Sequence, residues 1–478
     1  MTDRSLRTWL RRRAAVDSRG LAAFRVALGL VLLVDLAWRL PELRAHYTDA
    51  GALPRSVLGA LYPGWDALSL HALSGALWAQ AALFGLAAVA AAALVVGYRT
   101  RLATAASLVL LVSLQIRNPF VLNGGDILLR RLLFWGLFLP LGARWAVDAP
   151  SARDGADGDA RAPTDTVAGV ATVGLLAQVV AVYVTNAAVK LRADIWLAGD
   201  AVRHVFQLDQ FTVLLGDVLA GTGLLLSVAG WLWLGLLLVS PLLLLLTGRR
   251  RGLLAAAFVV AHFGMLLTLQ IGVFPLVSMT ALLPFLPSAL WDRVERRAEA
   301  WDGPALPSSP REPLAARLPA LSTAARSLAA VCLAVLIVVN AVALGVVAAP
   351  AGTPERVESR SWDMFAPSPP LGTWWYAAPA TLASGERVNL LTDHDPDGSK
   401  PPEVSSLYDE RWRKLLGDAA GEPLLRQSLA DSLCARWNAR HSDDAVNVTL
   451  VRYREPTVFD GPESIEREPL GRYQCGSD

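Results

Sequence analysis

The sequence predicts an all-α polytopic membrane bundle of about 8–9 transmembrane helices carrying a small extracytoplasmic α+β domain at its C-terminal end. Three observations carry that prediction. Of the 478 residues, 54% are hydrophobic and only 18% charged, with a mean hydropathy of +0.40. Arginine clusters punctuate the apolar runs at alternate connections. Near residue 350 the composition turns abruptly polar.

The chain opens with a basic amphipathic segment, 1–20, containing RTWLRRR. Apolar runs follow at 21–40, 75–97, 102–118, 127–145, 167–187, 224–247, 253–271, 273–290 and 325–349. About 18–20 apolar residues suffice to cross a bilayer, so each reads as a span. The 273–290 run holds Pro275, Pro284 and Pro287, which predicts a kinked or re-entrant segment. The first run has full span length, so the basic start is read as a retained anchor and not as a cleaved signal. The membrane domain is taken as 21–290, a basic loop as 291–324, the last span as 325–349 and the tail as 350–478. Residues 150–165, PSARDGADGDARAPTD, read as a linker.

Placing RTWLRRR, GYRTR, TGRRRG and the 291–317 cluster on the cytoplasmic side satisfies the positive-inside rule. The N-terminus is then inside, and nine crossings put the tail outside. The Ala/Arg/Leu-rich composition suits a GC-rich prokaryotic genome, hence the plasma membrane. A net charge of +2 gives no footprint for nucleic acid. In the tail, RVNLLTD and AVNVTLVRY read as strands and EPLLRQSLADSLCARWNARH as a helix. Cys434 and Cys475 fall in this tail, where an outside location permits a disulfide, although spacing does not fix the pairing. Cys332 lies within the last span and reads as a core residue.

Of the 44 Lys plus Arg residues, only Lys190, Lys400 and Lys414 are lysine. Lys190, in NAAVKLRADIW at the end of an apolar run, is the only lysine of the membrane part. The ordinary reading is a cation snorkelling to the interface. Arginine would serve that purpose equally, and this chain prefers arginine. What arginine cannot do is give up its proton and act as a base or nucleophile; a desolvated lysine can. Both readings stand, with Arg192 and Asp194 on the next turn as candidate supports.

A second cluster is IRNPFVLNGGDILLRR. Its Asn-Pro and Asn-Gly-Gly steps break one helix and begin another. Asp126 then suits the new N-terminus and can reach Arg130 at i+4. The alternative has Asn123 and the Gly-Gly amides lining a polar site. Arg25 and Asp35 share a face of the first span without touching. His262 reads as a hydrogen-bonded core histidine more readily than as a ligand. No HxxxH or CxxC spacing points to a metal, and no GxSxG, P-loop or dinucleotide motif is present.

FRVALGLVLLVDLAWRLPELRAHYTDAGALPR and NPFVLNGGDILLRRLLFWGLFLPLG resemble the two signatures of the HTTM (horizontally transferred transmembrane) family. That family includes relatives of the vitamin K-dependent gamma-carboxylase, and the likeness runs over about 15–290. SWDMFAPSPP and WWY look like the extracytoplasmic extension of some bacterial members. The resemblance implies a lyase-type role for Lys190. In the carboxylase, a Lys-Leu-Asp-Ala-Asp-Trp stretch carries the lysine that deprotonates vitamin K hydroquinone, and Lys190-Leu191-Arg192-Ala193-Asp194-Ile195-Trp196 corresponds to it. The reduced quinone then reacts with oxygen and removes a glutamate γ-proton, so that CO2 can add. A bacterial counterpart implies reduced menaquinone or vitamin K hydroquinone, no metal, and carboxylation or quinone epoxidation as the activity. The chain departs from the pattern at Val189, where the carboxylase has a second lysine, and at Asn123-Gly124-Gly125-Asp126, which lacks its histidine. The family offers a second, non-catalytic role: a membrane factor that matures or exports a secreted peptide, as for a sporulation-delay toxin. The expected partners are the lipid bilayer and a secreted peptide or protein substrate.

Overall fold

The computed structural model describes residues 3–147, 149, 166–299, 319–343, 364–392, 399–457 and 464–476. The expected linker at 150–165, most of the basic loop and the exit from the last expected span lie outside the described residues.

A basic helix α1 (Asp3–Ala14) precedes α2 (Ser18–Arg39), whose N-terminus is capped by Asp17 accepting from the Arg19 amide. Helices α3 (Leu77–Val96) and α4 (Thr100–Arg117) form a hairpin. Gly97 makes the turn at φ +74, a left-handed conformation that terminates helices at little cost to glycine. Asn118-Pro119 stops α4, and Asn123 starts α5 (Gly124–Gly136). The Asn123 side chain accepts from the Gly125 and Asp126 amides while Asp126 accepts from the Asn123 amide, a complete capping box. The bundle continues with α6 (Val170–Lys190), α7 (Gly223–Leu238), α8 (Gly248–Thr268), α9 (Phe274–Leu282), α10 (Ser288–Glu299) and α11 (Pro319–Ala343).

Among the described residues, five helices are long and apolar enough to cross a membrane: α2, α3, α4, α6 and α8. A sixth is added if Phe274–Phe285 and Ser288–Ala298, bent by 102°, count as one broken span. The chain is a multi-pass membrane protein, and among the described residues two of the nine apolar runs hold no continuous helix of span length. Hydropathy registers apolar content and not helix continuity. The 127–145 run stops being helical at Gly136, short of Pro140, and the 224–247 run breaks after Leu238, at Ser240-Pro241. The prolines of 273–290 produce the expected bend.

The tail is α+β. Strand β4 (Ala445–Pro456) is its axis. Strands β1 (Gly372–Ala377) and β2 (Pro379–Leu382) lie end to end along one edge of β4, β3 (Arg387–Asn389) pairs with β2, and β5 (Glu466–Gln474) takes the other edge, all antiparallel. Helices α12 (Glu410–Gly421) and α13 (Pro423–Asn438) complete it. Cys434 and Cys475 form a disulfide, while Cys332 is free and packs against the membrane core. The tail is not a tethered appendage. Leu43, Tyr47, Leu58, Phe84 and Val121 from the membrane half share one hydrophobic cluster with Trp412, Leu415 and Leu429 from the tail.

Two buried histidines in the 41–74 connection make that seam acid-sensitive. Burial next to the Arg411 and Arg39 guanidiniums pushes His46 down to about 3, and burial near Arg117 pushes His71 down to about 4. The folded state therefore holds both neutral, while the unfolded connection protonates them below about 6.5. Stability is full above that value and falls with decreasing pH by about 1.4 kcal/mol per unit and histidine. Protection factors across 43–72, which remove the intrinsic slowing of exchange with falling pH, should drop between pH 7 and 5. A flat profile, or one unchanged in His46→Gln/His71→Asn, would refute this.

Candidate active cavity between the membrane helices and the tail

Lys190 ends α6, whose Leu175, Val179 and Tyr183 bury against the core. Its side chain is buried, with the residue 1% exposed. Nζ donates to the carbonyls of Met364 (2.7 Å) and Phe365 (3.4 Å) and lies 3.6 Å from the centroid of the Trp196 ring. Among the described residues no carboxylate pairs with it. Trp196 Nε1 also donates to Phe365 O, and His204 Nε2 to Pro370 O. With Gln210 donating to Gly372 O, these contacts strap Met364–Thr373 across the end of the bundle.

Under that strap lies a cavity of about 1520 Å³. Leu226, Trp233, Leu236 and Phe274 are among its apolar walls, and Lys190, Asn123, Glu410 and Arg413 are among its polar ones. Leu225, Leu232 and Val260, on α7 and α8, line it and are exposed. The cavity is not sealed, and α7 and α8 present apolar side chains to it.

The tail supplies two buried charges to this wall. Asn123 Nδ2 donates to Glu410 Oε1 (3.2 Å), while Glu410 Oε2 is buried with no partner among the described residues. Burial raises the Glu410 carboxyl above its usual range, against the pull of Arg411. Gly272, at φ +63, leaves room for this carboxylate, since a Cβ there would lie 2.2 Å from its oxygens. Burial lowers Arg413 only to about 10, so it stays charged at neutral pH.

Behind the wall, Asp35 and Asp126 are held between two guanidiniums. Arg39 bonds Asp35 (2.8 Å), Asp126 and the Tyr47 hydroxyl. Arg411, from α12, bonds Asp35 (2.6 Å), Asp126 (3.4 Å) and the Val121 carbonyl. These contacts correct the local pairing: Asp126 is engaged by Arg39 and Arg411, whereas Arg130 donates to Gln115 Oε1. An i+4 spacing makes a pair feasible, but two buried guanidiniums converge on Asp126 from other elements. Arg25 caps carbonyls at the ends of neighbouring segments, the shortest to Trp145 O at 2.5 Å.

Of the other candidates, Asn123 lines the cavity and Trp196 braces Lys190. Arg192 and Asp194 are exposed and do not line it, because the chain turns outward after Lys190. His262 is also set back. It is buried, bonds Phe258 O through Nδ1 and packs among Tyr183, Trp233 and Phe274, as a core histidine does. Among the described residues no His, Cys, Asp and Glu group could hold a metal. The sequence reading passed over Glu410, Arg411 and Arg413. Their signal was DERWRK at 409–414: a run dense in charge, set around a tryptophan and opened by a helix-capping aspartate.

The HTTM domain model matches residues 13–291, more than half of the chain. The chain belongs to the HTTM family. The matched HTTM region holds Lys190, Asn123, both aspartates and the apolar walls on α7 and α8, while Glu410, Arg411, Arg413 and the strap lie beyond it. No curated protein and no solved structure matches this HTTM chain.

Proposed function

We propose that this HTTM protein is a membrane enzyme of the gamma-carboxylase type, with Lys190 as base on a reduced quinone that enters from the bilayer. One observation carries the reading: a buried lysine without a carboxylate partner among the described residues lines a large, mostly apolar cavity with apolar side chains of α7 and α8 in its wall. A neutral amine satisfies the Met364 and Phe365 carbonyls with its two N–H groups and keeps its lone pair for a proton. The cavity suits an isoprenoid quinone: Trp233, Phe274, Leu226 and Leu236 offer apolar contact, and Lys190 and Asn123 offer the polar end. Bound there, a reduced menaquinone or vitamin K hydroquinone would supply an acidic phenolic hydroxyl. The strap and the tail shield Lys190 from bulk water. The arginine clusters support a cytoplasmic N-terminus, and the disulfide supports a tail in an oxidising space outside the plasma membrane.

The two carbonyl bonds also support a structural role, with Lys190 anchoring the strap of a non-catalytic peptide-maturation factor. Lys190→Arg separates the two. The purified protein in lipid nanodiscs, given reduced menaquinone or vitamin K and oxygen, should form quinone epoxide. Arginine preserves the anchoring charge but cannot act as a base, so turnover should fall about 10²- to 10⁴-fold with folding intact. Equal turnover in both proteins would establish the anchor, and no turnover by the wild type with either quinone would refute the enzyme.

A further inference from the structure

The cavity is larger than one small ligand requires, and its polar end is divided. Sites for single small molecules span about 300–1,000 Å³, against about 1520 Å³ here. The Phe211 and Phe365 rings meet edge to face, 5.1 Å between centroids. On one side of the pair, Lys190 bonds the Phe365 carbonyl. On the other, the Arg413 guanidinium lies 4.4 Å from the Phe211 centroid.

Arg413 is 7% exposed and rigidly held. Nη1 donates to Gln210 O (2.5 Å) and Gln270 Oε1 (2.7 Å), and Nη2 to Gln270 O (2.6 Å). All three acceptors are neutral, and among the described residues no carboxylate pairs with it. These bonds use Nη1 and Nη2 and leave the Nε–H without an acceptor among the described residues, and the side chain lines the cavity. The other charges at this end are otherwise engaged or exposed. Glu410 turns to Asn123 and Arg411, Arg452 pairs with Glu468 and Arg454 with Glu466, while Lys414 and Asp418, both exposed, also line the cavity with opposite charges. A buried cation with only neutral partners is costly unless an anion completes it. The free edge of a guanidinium matches a carboxylate in two parallel hydrogen bonds.

We propose that Arg413 is the head-group subsite for a long-chain carboxylic acid, a fatty-acid-like amphiphile whose chain enters from the bilayer between α7 and α8. The head lies against the free edge of Arg413, and the chain runs along the apolar wall toward Leu232 and Val260. This names the second ligand of the cavity and rests on that cavity being the working site, but binding needs no chemistry at Lys190.

The test is equilibrium binding of radiolabelled palmitate to the full chain in phosphatidylcholine nanodiscs, without quinone. Palmitate should bind at least 10-fold tighter than hexadecanol, and Arg413→Gln should weaken palmitate about 10- to 100-fold while leaving hexadecanol unchanged. Lys190→Arg should retain palmitate binding, so failure of the base role and failure of this subsite are separable. Arg413→Lys keeps the charge and guards against a folding defect in the glutamine variant; it should weaken palmitate but not abolish binding. Leu232→Trp, on the outer face, should block palmitate and leave acetate unaffected. Equal binding of palmitate and hexadecanol, or unchanged palmitate binding in Arg413→Gln, would overturn the proposal. Preference for hexadecyl phosphate over palmitate would overturn its head group, and acetate binding as well as palmitate would overturn its chain.

Discussion

Arg411→Ala is expected to detach the tail's first helix from the membrane domain, at a cost of about 3–5 kcal/mol. Asp35, Asp126, Arg39 and Arg411 form a balanced quartet with every side chain buried. Removing one guanidinium leaves a carboxylate charge without compensation where water cannot reach it, and also frees the Val121 carbonyl. The deletion acts across the seam, since Asp35 belongs to α2 and Arg411 to α12. Hydrogen exchange over 410–421 and proteolysis of the tail should both accelerate, and Tm in nanodiscs should fall. Pairing Arg411→Met with Asp35→Asn removes one charge of each sign and should recover much of the loss, because an apolar or neutral replacement of a buried pair costs less than half a pair. An alanine variant with wild-type exchange would show that the quartet does not hold the tail.

Breaking the disulfide is expected to release the last strand. Cys434 is buried on α13, and Cys475 follows β5, whose side chains are mostly exposed. Apart from pairing with β4 and limited contacts with α13, β5 has little to hold it in place. The bond closes 41 residues, a span for which cross-linking contributes about 2–5 kcal/mol. The double variant Cys434→Ala/Cys475→Ala should lower the Tm of the tail and speed exchange in 466–474, leaving that of α2 and α6 unchanged. In the wild type, maleimide after denaturation should label Cys332 alone unless reductant is added. Labelling of three thiols without reductant would refute the bond.

The sequence by itself determined what is written within a turn or two of chain. The apolar runs established a multi-pass membrane protein. The Asn-Gly-Gly-Asp step specified a helix start that appears as a full capping box, because its bonds reach only from Asn123 to Asp126. The bias toward arginine marked out Lys190, and two cysteines in a polar tail offered a disulfide. Only the tertiary structure decided which of those features meet. Asp126 chose Arg39 and Arg411 over Arg130, and Arg411 lies 285 residues away. Lys190 found its acceptors at Met364 and Phe365, 174 and 175 residues on. The lengths of α5 and α7 followed from turns that an average of hydropathy does not register. Helix and cap signals are local because their hydrogen bonds span three or four residues. The partner of a buried charge is set by which elements pack together, and that depends on the whole chain.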